Sequence, residues 1–371
     1  MPVYLQHIET AVPETSYTQE QASTFMQEHV TDRRAVRRIL RSLYRGSGIE
    51  KRHSVMGGWN GEEGDALFLA PDGSGLVSPG TEARNEIYTR EARRLFEEVA
   101  STVVEGTPGF DPEDVTHVVT ISCTGFFAPG PDYYVVRALG LPGSTQRYHI
   151  GFMGCYAAFQ GMKLADTICR SDPEAVVLVL SVELCSIHLQ FSDNTDDLIA
   201  GSLFADGAAG VLVSARPPTA PARTLECVAF HSELAPEGEE DMAWTIGDRG
   251  FRMRLSTYVP DLLERNLGPV LERVLREAGV ERDEVDWWGV HPGGRAILDR
   301  IQGSAELRDD QIAASRQVLR DYGNMSSATV LFVLDALMRA PDVADGDRIL
   351  AMAFGPGLTI ETGLFRVHHP S

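Results

Sequence analysis

Apolar residues in this chain come in short unbroken runs rather than in strict alternation. Val118–Ile121 reads VVTI, Val176–Leu180 reads VVLVL and Ile349–Phe354 reads ILAMAF. A strand with one wet face alternates, whereas a strand covered on both faces stays apolar along its length. Helical spacing follows several of these runs, at Tyr133–Leu139, Tyr156–Ile168 and Ala328–Met338. The succession predicts an α/β protein with helices layered over two mostly buried sheets.

The pattern also repeats. Asp111–Gly125 (DPEDVTHVVTISCTG) matches Arg282–Gly294 (RDEVDWWGVHPGG): an acidic turn, an apolar run, then a small-residue loop. In the same order, Gly151–Ala158 (GFMGCYAA) faces Gly323–Thr329 (GNMSSAT), and Ala175–Leu184 (AVVLVLSVEL) faces Arg348–Leu358 (RILAMAFGPGL). Each pair is separated by about 170 residues, so two copies of one α/β unit are expected, residues 1–215 and 216–371. Arg216–Arg223 (RPPTAPAR) suits a surface connection between them, and Met56–Thr81 is a turn-rich excursion.

Charge narrows the function. Of 371 residues, 33 are Lys or Arg against 53 Asp or Glu, a formal charge of -20. So acidic a chain repels nucleic acid and anionic membranes as a whole. The five cysteines (Cys123, Cys155, Cys169, Cys185, Cys227) are odd in number and form no CxxC pair. Neither a disulfide framework nor a metal site is expected. The N-terminus, MPVYLQHIETAVPE, lacks a basic segment followed by an apolar one, and the apolar runs are too short to span a bilayer. A cytoplasmic location with reduced thiols is expected.

Three residues stand at loops where chemistry is usually placed. Cys155, in GFMGCYAA, follows an apolar strand end and precedes a helix. A thiol at a helix N-terminus feels the positive end of the dipole, which favours thiolate, although most free cysteines are small core residues. His291 ends the run WWGV before PGG; it either caps a strand or faces a ligand at the strand's C-terminal end. Asn324, in YGNMSSAT, either caps the helix that follows or donates to a developing oxyanion. Together they would make a nucleophile with two hydrogen-bond donors, and an imidazolium beside the thiol would keep it ionised near neutral pH.

GFMGCYAA, GSLFADGAAGVLVS, GVHPGGRAILDRI, YGNMSSATVLFVLD and FGPGLTIETGLF, in that order, resemble the chalcone synthase-like family, the type III polyketide synthases. The resemblance runs over nearly the whole chain. It implies a thiolase fold, five αβαβα layers from two duplicated units, and a homodimer. It implies extension of an acyl-CoA starter with malonyl-CoA followed by cyclisation, with no metal or redox cofactor. Cys155 would then accept the acyl group, and His291 and Asn324 would hold the malonyl thioester carbonyl. Phe204 falls on a gatekeeper phenylalanine. For the second gatekeeper, counting back from Val259-Pro260 gives Met253, and anchoring on the preceding Gly gives Phe251; Met253 is favoured. Positions that are often Thr or Ser in plant members fall on Cys123, Cys185 and His188. Ala128 falls where a residue reaches across the dimer. These departures resemble bacterial members that make pyrones, resorcinols or small polyhydroxy aromatics.

Coenzyme A is strongly anionic, so an acidic chain needs a local basic patch. Arg33–Arg52 supplies one, with Arg34, Arg38, Arg41 and Arg45 at helical spacing. The resemblance implies that Arg41, Arg45, Lys51 and Arg52 serve the CoA phosphates and that Gly293, Gly294 and Ala296 line the pantetheine tunnel. Ketoacyl synthases of fatty-acid initiation also use Cys, His and Asn and are the nearest alternative. A hydroxymethylglutaryl-type synthase would need a Glu near the Cys, and none is seen in the sequence around it. A non-catalytic acyl-binding protein of the same fold is the reading from another class.

Overall fold

The computed structural model describes residues 1–30, 33–57, 67–70, 75–218, 223–256 and 259–369. The strands are β1 (Tyr4–Ala11), β2 (Ser16–Thr18), β3 (Lys51–His53), β4 (His117–Ser122), β5 (Gln146–Gly151), β6 (Val176–Leu184), β7 (Asp206–Ser214), β8 (Thr224–Leu234), β9 (Met242–Gly247), β10 (Gly250–Leu255), β11 (Trp287–Val290), β12 (Arg348–Gly355) and β13 (Thr359–His368). The helices are α1 (Gln19–His29), α2 (Arg34–Gly46), α3 (Thr81–Glu105), α4 (Pro131–Ala138), α5 (Ala157–Ser171), α6 (Thr195–Leu203), α7 (Val259–Ala278), α8 (Arg295–Ser304), α9 (Ala313–Tyr322) and α10 (Thr329–Arg339).

Nine strands run in the order β11-β12-β13-β8-β1-β7-β6-β4-β5. The duplication is written in this order. β4 and β6 are parallel, as are β11 and β12. β6–β7–β1 is antiparallel, as is β12–β13–β8. The sequence pairs fall where expected: α5 follows GFMGCYAA, α10 follows GNMSSAT, and β6 and β12 carry the long apolar runs. Two separate sheets were expected; instead β1 and β8 pair at Tyr4↔Glu226 and Leu5↔Leu225 and join the halves. Pairing removes two sheet edges that would otherwise expose unbonded backbone.

Burial explains the unbroken runs. Val119 and Ile121 of β4 and Ile349, Ala351 and Ala353 of β12 share one core with Phe159 and Met162 of α5 and Val330, Leu331 and Leu334 of α10. The alternate residues face outward layers. Val118, Leu178 and Leu212 pack under α3 (Leu95, Phe96, Val99), and Trp288, Leu350 and Met352 pack under α7 (Leu263, Leu267, Leu271). The layers are α3, half-sheet, α5 with α10, half-sheet, α7: the five-layered thiolase-like α/β arrangement. Much of the Met56–Thr81 excursion and half of Arg216–Arg223 lie outside the described residues. No helix among the described residues is long and apolar enough to cross a membrane.

Candidate active site

The nucleophile turn is built between β5 and α5. Phe152 (φ 61°) and Gly154 (φ 85°) both take left-handed conformations, which reverse the chain within a few residues. At Gly154 a side chain is impossible, since a Cβ there would stand 2.3 Å from Pro356 Cδ. Cys155 is thereby presented just before the first turn of α5, as its sequence context suggested.

His291 follows β11, its backbone N–H donating to Met352 O at 2.8 Å. The residue is 2% exposed, and neither ring nitrogen has a partner among the described residues. Asn324 enters from the end of α9, also 2% exposed. Its Oδ1 accepts the Ser326 N–H at 2.9 Å, a bond that folds the loop itself, while the N-cap of α10 is Ala328 and takes no side-chain bond. The bond from Ser326 leaves the amide Nδ2 hydrogens as donors. The side chains of Asn324 and Ser326 both hydrogen-bond the Cys155 thiol.

Cys155, His291 and Asn324, from three separate loops of the two halves, line one cavity of about 40 Å3. Phe204, Met253, Cys123, Cys185 and Gly293 line it as well. Met253 faces this cavity, whereas Phe251 faces a neighbouring one of about 50 Å3. Phe204, Cys185, Trp244 and Met253 form the wall between the two. His188 lies on the neighbouring side, where its ring stacks on Phe251 at 4.1 Å. Its Nε2–H donates to Thr124 O (2.7 Å) and its Nδ1 accepts the Phe251 N–H (3.0 Å). Burial pulls His188 down to about 3, so it is a neutral tether between two segments. Ala128 stands exposed on the loop after β4.

Burial shapes the electrostatics. It pushes the Cys155 thiol up to about 12 and pulls the His291 imidazole down to about 3. Loss of water thus disfavours both ions, against the thiolate–imidazolium pair expected from sequence; hydrogen bonds from Ser326 and Asn324 work the other way. A residue that sequence reasoning missed adds to this. Glu183 of β6 is fully buried, and burial raises its carboxyl to about 7. It accepts the Cys123 N–H (3.0 Å), the Thr124 hydroxyl (2.9 Å) and the Ser327 hydroxyl. Its charge further raises Cys155. With its oxygens so engaged behind the cavity wall, Glu183 is not the cavity-facing acid that a hydroxymethylglutaryl-type synthase would require.

The other missed wall is the β9–β10 hairpin. In its register Trp244 opposes Met253 and Met242 opposes Leu255, and all four line the cavity that holds Cys155. The alternation in DMAWTIGDRGFRMRL carried that signal.

The basic patch divides. Arg34, Arg38, Arg41 and Arg45 are exposed on α2, and Arg37, Arg41 and Arg45 line a groove of about 660 Å3. The chain after α2 abuts the start of α8: Arg295 N–H donates to Ser47 O at 3.2 Å, and Gly48 packs against Arg295. Gly293, Gly294 and the exposed Ala296 therefore lie beside the end of the patch. Lys51 is exposed on β3. Arg52 is a correction. It is 3% exposed and its Nη1 donates to the carbonyls of Gly201 (2.9 Å) and Phe204 (2.7 Å), so it offers no surface to a phosphate.

Comparison with known proteins places nearly the whole chain in one family. Residues 2–217 match the N-terminal domain of chalcone and stilbene synthases, and residues 226–368 match the C-terminal domain. The fold is similar to that of PKS-I from the brown alga Ectocarpus siliculosus, with 30% identity, a TM-score of 0.91 and 98% of both chains covered. It is similar to 1,3,6,8-tetrahydroxynaphthalene synthase, a bacterial type III polyketide synthase from Streptomyces coelicolor. There the identity is 28% and the TM-score 0.85, over 99% of this chain and 100% of that one. The C-terminal type III polyketide synthase domain of Steely1 from Dictyostelium shares the fold at 23% identity and a TM-score of 0.89, with 99% of both covered. With both family domains matched over nearly its whole length, the chain belongs to the chalcone and stilbene synthases and is an acyltransferase of the type III polyketide synthase kind.

Proposed function

We propose that the chain extends an acyl-CoA starter with malonyl-CoA by repeated decarboxylative condensation and releases a small pyrone, resorcinol or other polyhydroxy aromatic. The observation that carries this reading is the meeting of Cys155, His291 and Asn324 in one cavity, with the single N–H of a neutral His291 unpartnered among the described residues and the Asn324 amide turned to the Cys155 side. Cys155 sulfur attacks the starter thioester, its proton leaves with CoA as free thiol, and an acyl-cysteine forms. The malonyl carboxylate then departs as CO2. The electron pair of the broken C–C bond passes to the thioester oxygen as an enolate. His291 and Asn324 stabilise that oxyanion, and a neutral His291 does so without delivering a proton to quench the carbanion. The carbanion attacks the acyl-cysteine carbonyl, and Cys155 leaves as thiolate.

The α2 groove with Arg41 and Arg45, together with Lys51, supports binding of the CoA phosphates at the mouth. Gly293 and Gly294, where side chains would crowd Ile297 and Leu203, and the exposed small Ala296 support passage of the pantetheine arm. Phe204 and Met253 act as the gate. Homodimerisation is supported by β5, an edge strand with exposed Gln146–His149, next to exposed Phe126 and Ala128. We place the enzyme in the cytoplasm, with no cofactor beyond the CoA thioesters. Incubation with malonyl-CoA and a panel of starters from acetyl to long-chain tests the reading. CO2 and free CoA should appear together with cyclised products, and all should vanish in Cys155→Ala. CO2 release surviving in that variant, with an acyl adduct still on the protein, would sink it.

A further inference from the structure

We infer that Arg52 is a positioning residue for this reaction: it fixes the end of α6, and through it the gate Phe204 and the oxyanion donor Asn324. The role rests on the decarboxylation proposed above. A buried guanidinium is unfavourable unless its charge is met, and among the described residues no carboxylate forms an ion pair with Arg52. The buried Asp206 carboxylate is near enough to feel the guanidinium charge, but the direct hydrogen bonds go to the last carbonyls of α6, at Gly201 and Phe204. These are the unbonded groups at the negative end of a helix. The rings of Tyr17 and Tyr44 flank the guanidinium, 5.2 and 5.6 Å from the ring centres. The Tyr44 hydroxyl donates to the same Gly201 carbonyl at 2.9 Å.

What Arg52 holds is continuous with the site. Asn324 N–H donates to Leu203 O (3.0 Å) and Ala205 N–H donates to Asn324 O (2.8 Å), so the Asn324 backbone brackets Phe204. The Arg52 stem also meets the preceding residue directly. Gly323 takes φ 76°, and a Cβ there would lie 3.0 Å from Arg52 Cγ and 3.1 Å from Cδ. One side chain thus contacts both the gate segment and the loop that carries Asn324. Donor placement governs an oxyanion hole, and displacement by about 1 Å can lower a rate about a hundredfold.

The test compares Arg52→Met, which keeps a stem without donors, with Arg52→Lys, which keeps the charge but not the two-carbonyl grip. In Arg52→Met, kcat for malonyl-CoA decarboxylation should fall about ten- to a hundredfold, while KM stays within about twofold. The same fall should appear with the N-acetylcysteamine thioester of malonate, which lacks the CoA phosphates. Arg52→Lys should recover part of kcat. Alkylation of Cys155 by iodoacetamide should still run to completion in both, since the turn that presents the thiol is untouched. A KM increase confined to the CoA ester, with kcat retained, would overturn the inference and return Arg52 to the phosphate site. So would a wild-type kcat in either variant. If Arg52→Met does not fold, the kcat and KM of Arg52→Lys decide alone. Failure of wild type to decarboxylate malonyl-CoA would instead strike the proposed function.

Discussion

The indole N–H of Trp244 donates to the carbonyl of Cys123 at 2.8 Å, which pins the β9–β10 hairpin over the nucleophile turn. The link continues inward, because the Gly154 N–H donates to Cys123 Sγ at 3.0 Å. Trp244 is therefore a fixed wall of the cavity that holds Cys155, and that cavity has about 40 Å3 free. Replacing Trp244 with Ala should join the catalytic and neighbouring cavities and shift products toward more malonyl extensions. Trp244→Phe, which keeps an aromatic wall, should leave the product range near wild type. Product masses from one starter read the difference; identical profiles in Trp244→Ala and wild type would show that the hairpin does not limit chain length.

His291 and Asn324 line the same cavity as Cys155, so each should matter to decarboxylation. Loss of an oxyanion donor typically costs about 2.7–4 kcal/mol, a hundred- to a thousandfold in rate. His291→Ala and Asn324→Ala should each suppress CO2 release from malonyl-CoA to that extent. His291→Ala should also slow iodoacetamide alkylation of Cys155 near neutral pH if an imidazolium assists ionisation, because burial, the largest influence, holds the thiol up at about 12 even with the Ser326 and Asn324 hydrogen bonds in place. Alkylation profiles that superimpose with wild type from about pH 5 to 8, spanning the ordinary range of histidine, would show that His291 contributes nothing to thiolate formation.

Glu183 makes a prediction about pH. Its carboxyl is raised by burial from 4.5 to about 7 in the folded chain. The folded state therefore holds the proton more tightly than the unfolded state. That contribution to stability is fully present below pH 4.5 and is lost as pH rises through 7. Glu183→Gln removes the titration, so its stability relative to wild type should improve steadily between those values. Urea midpoints measured at pH 5 and pH 8 check this, and a constant gap between the two proteins would refute it. Above pH 7 the variant should also alkylate faster at Cys155, since ionised Glu183 opposes the thiolate.

How far the sequence could be read depended on range along the chain. The duplicated unit was legible because β4 and β11, β6 and β12, and α5 and α10 each repeat a local pattern. The meeting of Cys155, His291 and Asn324 in one cavity was legible because each sits in a distinctive small-residue loop. Glu183 was not, since it interrupts an apolar run and its partners Cys123, Thr124 and Ser327 come from other segments. Arg52 was misassigned for a related reason. In sequence it belongs to a cationic cluster, but its β-pairing opposite Tyr17 turns it inward while Lys51 points out. Charge says that a side chain seeks an anion; only the strand register says on which face.

The exposed part of that cluster should behave in the opposite way to Arg52. Arg41 and Arg45 stand on the open face of α2 and line its groove. A chain of formal charge -20 disfavours an anionic ester unless local charge reverses the field. Replacing Arg41 and Arg45 together with Ala should raise KM for malonyl-CoA and leave turnover at saturation little changed. The phosphates are far from the bond that breaks and are held alike in ground and transition states. Exposed charges are screened over about 8 Å at physiological ionic strength, so the KM difference should shrink as salt is added. The N-acetylcysteamine thioester of malonate lacks the phosphates and should not distinguish the variant from wild type. An equal loss with both substrates would mean that these arginines support the fold, and α2 would then no longer mark the CoA site.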